Sequence, residues 1–258
     1  MKIIYKLLFL FLLTIGYSSC DFLDIVPDEI TTEADAFKDR NAAKNFVYSC
    51  YGYLPQSNVA SGSLDLLTGD EVITAFEHET FASFPKGNYT ASSPVISYWN
   101  TFFQGLRQCY IFLENVDKVP DLTESVKTDY IAQVKFLIAY YHYQLARCYG
   151  PIILIKELPD VNASQAEYLP RTSYDECVDW ICNLLDEAAS SLPAIRTNKE
   201  DYGLATSVGA KAVKAKMLLY AASPLFNGNS SFYSNFTDKS GSQLMPLTYD
   251  PNKWVKAK

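Results

Sequence analysis

The chain has 258 residues, of which 48% are apolar and 20% are charged, with a net charge of −7 and only two histidines. This composition excludes low-complexity disorder and collagen-like or coiled-coil fibres, and the acidic balance, without a basic cluster, argues against nucleic-acid binding, which needs clustered positive charge. Aromatic residues reach 14%, which is more ring surface than a core of this size needs, so we expect some of the rings to lie at the surface.

The first twenty residues have the pattern of a secretory signal peptide. Two lysines precede a wholly apolar run over residues 7–13, and small residues then lead into Cys20. The run is well short of the roughly 20 residues that a membrane-spanning helix needs. We therefore predict a signal peptide over residues 1–19 and a mature chain over residues 20–258, with Cys20 as the acylated first residue of a lipoprotein. The alternative is a plain signal peptide cleaved near Ser19, with Cys20 an ordinary thiol.

The next predicted elements are one or two helical stretches and then a long irregular segment. Thr31, Thr32 and Asp39 are candidate N-caps for helices that run towards Tyr53. Residues 56–97 are rich in Ser, Gly, Thr and Phe without a sustained period. Loops of this length inside a compact domain are usually functional or disordered. Because disordered segments usually lack the aromatic residues that this one carries, we expect it to be functional.

Two long amphipathic helices follow this loop. Apolar residues recur with the 3.6-residue period over residues 97–118, before Pro120 stops the helix. Over residues 125–149 the apolar residues form one stripe, and Gly150 followed by Pro151 supplies the C-terminal stop.

The second half of the chain predicts two further helices and an isolated final turn. Ser173 with Glu176 has the spacing of a capping box and begins a helix that runs up to Pro193. A fifth helix runs over residues 207–222. Residues 250–258 resemble the entry to another helix, but a lone turn is not stable in water. We therefore expect the sequence to be the front part of a longer protein, less stable alone than a full-length relative because its last helix lacks a partner.

The helices come in pairs, and each pair exposes an apolar stripe that it cannot bury alone. This arrangement is typical of a helical-hairpin solenoid. No strict 34-residue repeat is readable. The sequence therefore predicts an all-α fold of degenerate tetratricopeptide-like hairpins with long irregular loops.

The cysteines after Cys20 do not form a recognisable framework. They are odd in number and include no C-x-x-C pair, which argues against a full disulfide framework and a zinc ribbon. Cys177 and Cys182 lie about 140 degrees apart around a helix and are badly placed to bind one metal ion. We expect most of the five to be buried apolar residues and no metal to be bound, although a single disulfide among them is compatible with the sequence. The five are Cys50, Cys109, Cys148, Cys177 and Cys182.

Three ordered stretches carry a family resemblance. They are residues 20–27 (CDFLDIVP) with Thr31, Thr32 and Phe37, residues 136–151 (FLIAYYHYQLARCYGP), and residues 216–227 (KMLLYAASPLFN). Over residues 20–258 the chain resembles the SusD/RagB family of outer-membrane nutrient-binding lipoproteins of the Bacteroidota. It departs from the family pattern at Ile138, where the family often has Arg, but the change lies on an apolar face.

The resemblance implies both a fold and a role. The implied fold is a helical body of tetratricopeptide-like pairs, here the N-terminal domain of the family without its C-terminal one. The implied role is that of a non-catalytic, lipid-anchored protein on the cell surface, which binds glycans and delivers them to a SusC-type TonB-dependent transporter in the outer membrane. A peptide receptor of the RagB type and a helical-repeat scaffold that binds protein are the alternatives. No cofactor and no nucleic-acid partner are expected.

The candidate ligand-binding residues lie in and just after the long loop. A sugar ring presents a face of C–H bonds to a flat aromatic ring and a rim of hydroxyls to polar groups, so a glycan site needs exposed rings beside amides or charges. In the starch-binding type of the family, aromatic residues and an Asn ahead of this helix contact the sugar. The candidates are Phe81, Phe84, Tyr89, Tyr98 and Asn100. Loop packing is the alternative for Phe81 and Phe84, and we expect Trp99, also a candidate, in the core because it is in phase with Phe103 and Leu106.

An enzymatic interpretation of the same loop has less support. Asp70 with Glu71, or Glu77 and Glu79 around His78, can be written as an acid/base pair, but their spacing does not indicate the separation that a glycosidase needs. A solvated acidic loop is the favoured interpretation. One histidine without a second nearby is a weak metal site, and neither a Gly-rich phosphate loop nor a nucleophile elbow is present.

Overall fold

The computed structural model describes residues 33–55, 69, 73–76, 78–160, 162 and 169–258. The predicted signal peptide, Cys20 and the N-cap candidates Thr31 and Thr32 lie outside these residues. The chain divides into two units, Met1–Ala36 and Phe37–Lys258. The described part of the first unit contains the short helix α1 (Glu33–Ala36).

The second unit begins with a helix whose start was predicted correctly. Helix α2 (Arg40–Tyr51) has Asp39 as its N-cap, and the Asp39 carboxylate accepts a hydrogen bond from the backbone N–H of Ala42 at 2.8 Å. This bond satisfies one of the amides that a helix start leaves without a partner. The helix ends just before Gly52, three residues ahead of Pro55.

The two long helices predicted after the loop are confirmed. Helix α3 (Trp99–Asn115) continues into a short 3-10 turn (Val116–Lys118), and helix α4 (Glu124–Tyr149) follows. Gly150 ends α4 with a φ of 72°, and its N–H donates to the Ala146 carbonyl at 2.9 Å. A positive φ is costly for residues with a Cβ, which explains the glycine at this position.

The next two helices also match, but one cap differs from the prediction. Helix α5 (Tyr174–Ser191) and helix α6 (Ser207–Ala222) have the expected bounds within two residues. The Ser173 hydroxyl donates to the Glu176 carboxylate at 2.6 Å and does not cap the helix backbone. The predicted capping box is therefore wrong in its geometry, because the two side chains bond to each other and neither accepts a backbone N–H of the helix start.

Consecutive helices pack against each other along the chain. Helix α3 packs on α4, α4 on α5 and α5 on α6, while α2 packs on both α3 and α4. Helix α4 is central, and it buries residues on more than one side. Its largest fully buried side chains are Leu137, Ile138, Tyr141, Tyr143 and Leu145. The described residues contain no strand, only a single bridge between Thr237 and Gln243, in agreement with the predicted all-α class.

The final turn is packed, contrary to expectation. After the short helix α7 (Ser230–Tyr233), helix α8 (Asn252–Ala257) contacts α6. The Lys253 ammonium lies 2.5 Å from the Asp175 carboxylate at the start of α5. The expectation that this turn lacks a partner is wrong, because tertiary contacts supply the stabilisation that a short isolated helix does not have.

All five cysteines after Cys20 are free thiols. Cys50, Cys109, Cys177 and Cys182 are buried, as expected for small apolar residues, and Cys148 is half-buried. In the part of the chain that the structure describes, no helix is long and apolar enough to cross a membrane, and no group of three or more His, Cys, Asp or Glu residues is placed to hold a metal ion.

Candidate functional site

A tight turn in the long loop brings two candidate rings together. A short 3-10 helix (Thr80–Ser83) is followed by Gly87, whose φ is 64°. The Gly87 N–H donates to the Phe84 carbonyl at 3.0 Å, so the chain reverses at this point. The rings of Phe84 and Tyr89 then meet edge to face with centroids 5.6 Å apart. Tyr89 is 50% exposed and therefore presents a ring that Phe84 supports from the side.

Phe81, in contrast, is not presented to solvent. It is only 7% exposed, so its ring packs inside the protein and has no free face for a sugar. The residue lies in the 3-10 helix one turn before Phe84. The loop-packing alternative fits Phe81, and we leave it out of the site.

A second group of rings lies at the start of α3. Tyr98 stacks on Phe102 with centroids 4.9 Å apart and planes 19° from parallel. The backbone N–H of Tyr98 donates to the Tyr149 hydroxyl at 3.0 Å, which ties the start of α3 to the end of α4. Tyr98 is half-buried and the neighbouring Asn100 is exposed. Asn100, which follows Trp99 in α3, exposes its amide to solvent and stays a candidate ligand contact.

Trp99 joins this second group and does not lie in the core. Its ring meets the Tyr149 ring at 90° with centroids 5.2 Å apart, and it contacts Phe103 at 4.9 Å. The residue is half-buried. The expectation of a core position is therefore wrong, because Trp99 is the first residue of α3 and only part of its side chain is covered by Phe103, Tyr149 and Arg171.

Sequence reasoning missed one residue of this group, Arg171. Its guanidinium carbon lies 5.4 Å from the centre of the Trp99 ring. Its Nη1 donates to the carbonyls of Tyr149 at 3.2 Å and Pro151 at 2.7 Å. A guanidinium has five N–H donors in a fixed plane, so Arg171 can bind these carbonyls, stack on the indole and still donate to a ligand hydroxyl. No local pattern marks Arg171, which reaches Trp99 only through the folded end of α4.

The segment that leaves α4 is held by a buried histidine. His142 Nδ1 donates to the Ile138 carbonyl at 2.8 Å, and Nε2 accepts the backbone N–H of Ile155 at 3.1 Å. Burial lowers the pKa of His142 to about 4, so the ring is neutral at physiological pH. The Tyr110 hydroxyl donates to the Ile155 carbonyl at 2.6 Å. Together these bonds fix the extended exit that begins next to Tyr149.

The acidic residues of the loop do not assemble into an acid/base pair in the described part. Asp70, Glu71 and Glu77 lie outside the described residues. The His78 side chain is 77% exposed and lies 3.8 Å from the Glu79 carboxylate. An exposed contact of this kind is typical of a solvated loop and gives neither residue the environment of a catalytic group.

Comparisons with known proteins converge on one group. A model of SusD-like proteins, described as "Starch-binding associating with outer membrane", matches residues 21–219. The SusD-like protein P25 of Formosa agariphila is 23% identical over 230 residues, which cover 84% of this chain and 43% of that protein. A solved structure named BT4246 has a TM-score of 0.76 at 36% identity, covering 85% of this chain and 38% of that one. A SusD-like protein of Bacteroides fragilis has a TM-score of 0.62 at 26% identity, over 76% and 37% of the two chains.

Two conclusions follow from these similarities. The superposition on BT4246 confirms the predicted all-α, tetratricopeptide-like fold. The chain spans less than half the length of each of these three relatives.

Proposed function

Because the chain belongs to the SusD-like family, whose members are described as starch-binding and associated with the outer membrane, we propose that it binds glycans at the cell surface and delivers them to a SusC-type TonB-dependent transporter. The observation that carries the proposal is the group of Tyr98, Trp99, Asn100 and Arg171 at the start of α3. It combines ring surface with an amide and a guanidinium, which are the groups that a sugar needs.

The expected affinity of one such site is modest. A stacked ring contributes on the order of 1 kcal/mol beyond the burial of its surface, by analogy with pairs of aromatic side chains. Tyr89 and the rings at the start of α3 therefore give weak binding to a single sugar unit. A polymer engages such a site repeatedly, which raises the overall affinity by orders of magnitude without new contacts.

The proposed role is capture without chemistry. Glycosidic bonds are usually hydrolysed by two carboxyl groups at a defined separation. The group formed by Tyr98, Trp99, Asn100 and Arg171 supplies rings, an amide and a guanidinium. None of these is a carboxyl group. The ligand is therefore released unchanged, and polymer incubated with the protein shows no new reducing ends.

We further propose that Cys20 anchors the protein to the outer membrane after removal of residues 1–19. Several acyl chains on one cysteine give stable membrane attachment, whereas a single chain does not. A Cys20→Ala variant expressed in the native cell then moves from the membrane fraction to the soluble fraction. A Cys148→Ala variant is the matched control and stays with the membrane.

The proposed function is tested by affinity electrophoresis of the protein beginning at Asp21, through gels that contain different plant and host polysaccharides. Tyr89→Ala removes the exposed ring of the loop turn, Asn100→Ala removes the amide at the start of α3, and Tyr249→Ala removes a ring that is 57% exposed elsewhere. We expect one or more polymers to retard the wild type and the Tyr249 variant, and to retard the two site variants less. Retardation that both site variants keep would contradict the assigned site. If no polymer retards the protein but peptides bind it, the peptide-receptor alternative replaces glycan capture.

A further inference from the structure

A cleft lies between α2, α4 and the connection from α5 to α6. It has a volume of about 300 Å³, at the lower end of the range of small-molecule sites. Its lining side chains include Arg40, Lys44, Tyr48, Asp129, Arg196 and Asp201. None of them belongs to the ring groups described above. We propose that this cleft binds one or two units of an uncharged carbohydrate, as a second contact on the same polymer.

The floor of the cleft is a closed ring of hydrogen bonds. The Tyr51 hydroxyl donates to Gln133 Oε1 at 3.0 Å, and Gln133 Nε2 donates to Asp129 Oδ2 at 2.7 Å. Arg196 donates to both oxygens of Asp129 at 2.9 Å and to the Ala205 carbonyl at 2.8 Å. The Ala205 N–H closes the ring by donating to the Tyr51 hydroxyl at 2.9 Å. A network satisfied in this way fixes the three chain segments relative to one another, so the cleft is preformed.

The charges around the cleft favour a neutral ligand. Arg196 and Asp129 neutralise each other in the floor. Of the lining residues that remain, Arg40 and Lys44 are cationic, and Glu200 and Asp201 are anionic. An anionic ligand would meet the two carboxylates, and a cationic ligand would meet the two cations. A sugar hydroxyl both donates and accepts, so it can bond to either kind of wall without bringing a charge.

The cleft also offers a partly exposed ring. Tyr48 is 36% exposed, and the Lys44 ammonium lies 5.5 Å from the centre of its ring. The neighbouring Tyr48 side chain raises the pKa of Lys44, whose ammonium is charged at neutral pH. The pairing places a cation beside the ring and leaves part of the surface of Tyr48 open to a sugar face.

The inference depends on the proposed function for its ligand class, since a glycan captured at the first site would reach the second along the same chain. Linking two weak contacts makes the second binding event intramolecular, which increases the overall affinity without any new interaction. Two sites built from different residues therefore predict that each can be removed separately. A long polymer can engage both sites at once and so gains from both.

The test uses affinity electrophoresis of the protein beginning at Asp21, with laminarin, soluble starch, xylan, mannan or polygalacturonate in the gel. The cleft variants are Tyr48→Ala and Arg40→Ala, both at exposed side chains, and the matched control is Tyr202→Ala, which is 65% exposed and outside the cleft. A Tyr48→Ala/Tyr89→Ala double variant removes a ring from each site. Circular dichroism of every variant checks that it remains folded.

We expect an uncharged polymer to bind Tyr48→Ala about fivefold more weakly than the wild type, the change that corresponds to one stacked ring, and to bind Arg40→Ala more weakly than the wild type as well. The double variant should be retarded less than either single ring variant, and Tyr202→Ala should be retarded as much as the wild type. If both cleft variants are retarded as strongly as the wild type, the inference is overturned and the proposed function stays intact. Tyr48-dependent retardation by polygalacturonate alone would overturn the neutral ligand class. Failure of every polymer to retard the wild type would overturn the proposed function, and the inference with it.

Discussion

Acidification is expected to destabilise the protein through one buried side chain, His142. The side chain is 0% exposed, its two nitrogens are both hydrogen-bonded, and burial lowers its pKa from 6.5 to about 4. Between these two values the unfolded chain binds a proton at this position and the folded chain does not. The contribution of His142 to the free energy of unfolding therefore rises with pH across this window. It is fully present above about pH 6.5 and is lost as the pH falls towards 4.

The size of the effect follows from the two pKa values. Each unit between them corresponds to about 1.4 kcal/mol, so the full loss is about 3 kcal/mol, and the part that falls between pH 7 and pH 5 is about 2 kcal/mol. For a domain of this size we expect the Tm to fall by roughly 4–8 °C between pH 7 and pH 5. This interval lies above the usual pKa of Asp and Glu, so few carboxylates change charge within it.

The assay is thermal unfolding followed by circular dichroism at half-unit steps of pH. A His142→Gln variant can keep a donor and an acceptor but cannot titrate, so its Tm should change little between pH 7 and pH 5 even if it is lower throughout. His78→Gln, at an exposed side chain, is the matched control and should follow the wild type. The reasoning is refuted if the wild type and the His142 variant lose the same Tm over this interval.

Three further perturbations test other parts of the fold. Replacing Arg196 by Lys removes the paired bonds to Asp129 in the floor of the cleft and should lower the free energy of unfolding in urea by about 2 kcal/mol. Lys135→Ala, which breaks an exposed ion pair, is the control and should lower it by less than about 1 kcal/mol. Gly228→Ala should lower the free energy of unfolding by roughly 3 kcal/mol or more, because a Cβ there would lie 2.3 Å from a backbone nitrogen at a φ of +80°. Gly203→Ala, at a φ of +94° with nothing within 4 Å of the added Cβ, should lower it by only about 1 kcal/mol. Equal losses for the two variants would contradict the steric argument. Deleting residues 252–258 should lower the Tm by several degrees, because α8 packs on α6, and an unchanged Tm would show that this packing does not stabilise the fold.

Much of the fold could be predicted because its signals are local. The apolar period of α4 and the Gly150 stop both lie within a few residues of the feature that they specify. Asp39 acts through an amide three residues away. The bounds of α6 follow from one continuous segment in the same way. Such features depend on backbone geometry that a short stretch of sequence determines.

The candidate site was predictable only in part, because it depends on contacts between distant segments. In a loop without a period, no rule distinguishes a ring that packs inward, such as Phe81, from one that is exposed, such as Tyr89. Arg171 reaches Trp99 only because α4 ends beside α3. The cleft likewise requires Arg196 to meet Asp129, 67 residues earlier in the chain. Contacts of this kind leave no trace in either local sequence.

The burial of the cysteines affects their chemistry as well as their packing. Burial raises the pKa of Cys177 to about 11 and that of Cys182 to about 12. Because the thiolate is the reactive form, about one Cys177 side chain in ten thousand is a nucleophile at pH 7. The reactive fraction of Cys182 is smaller still. These two thiols therefore exchange slowly with external disulfides and resist oxidation while the protein is folded, and they become reactive on unfolding. Their rate of labelling by a thiol reagent thus reports how often the α5 region opens.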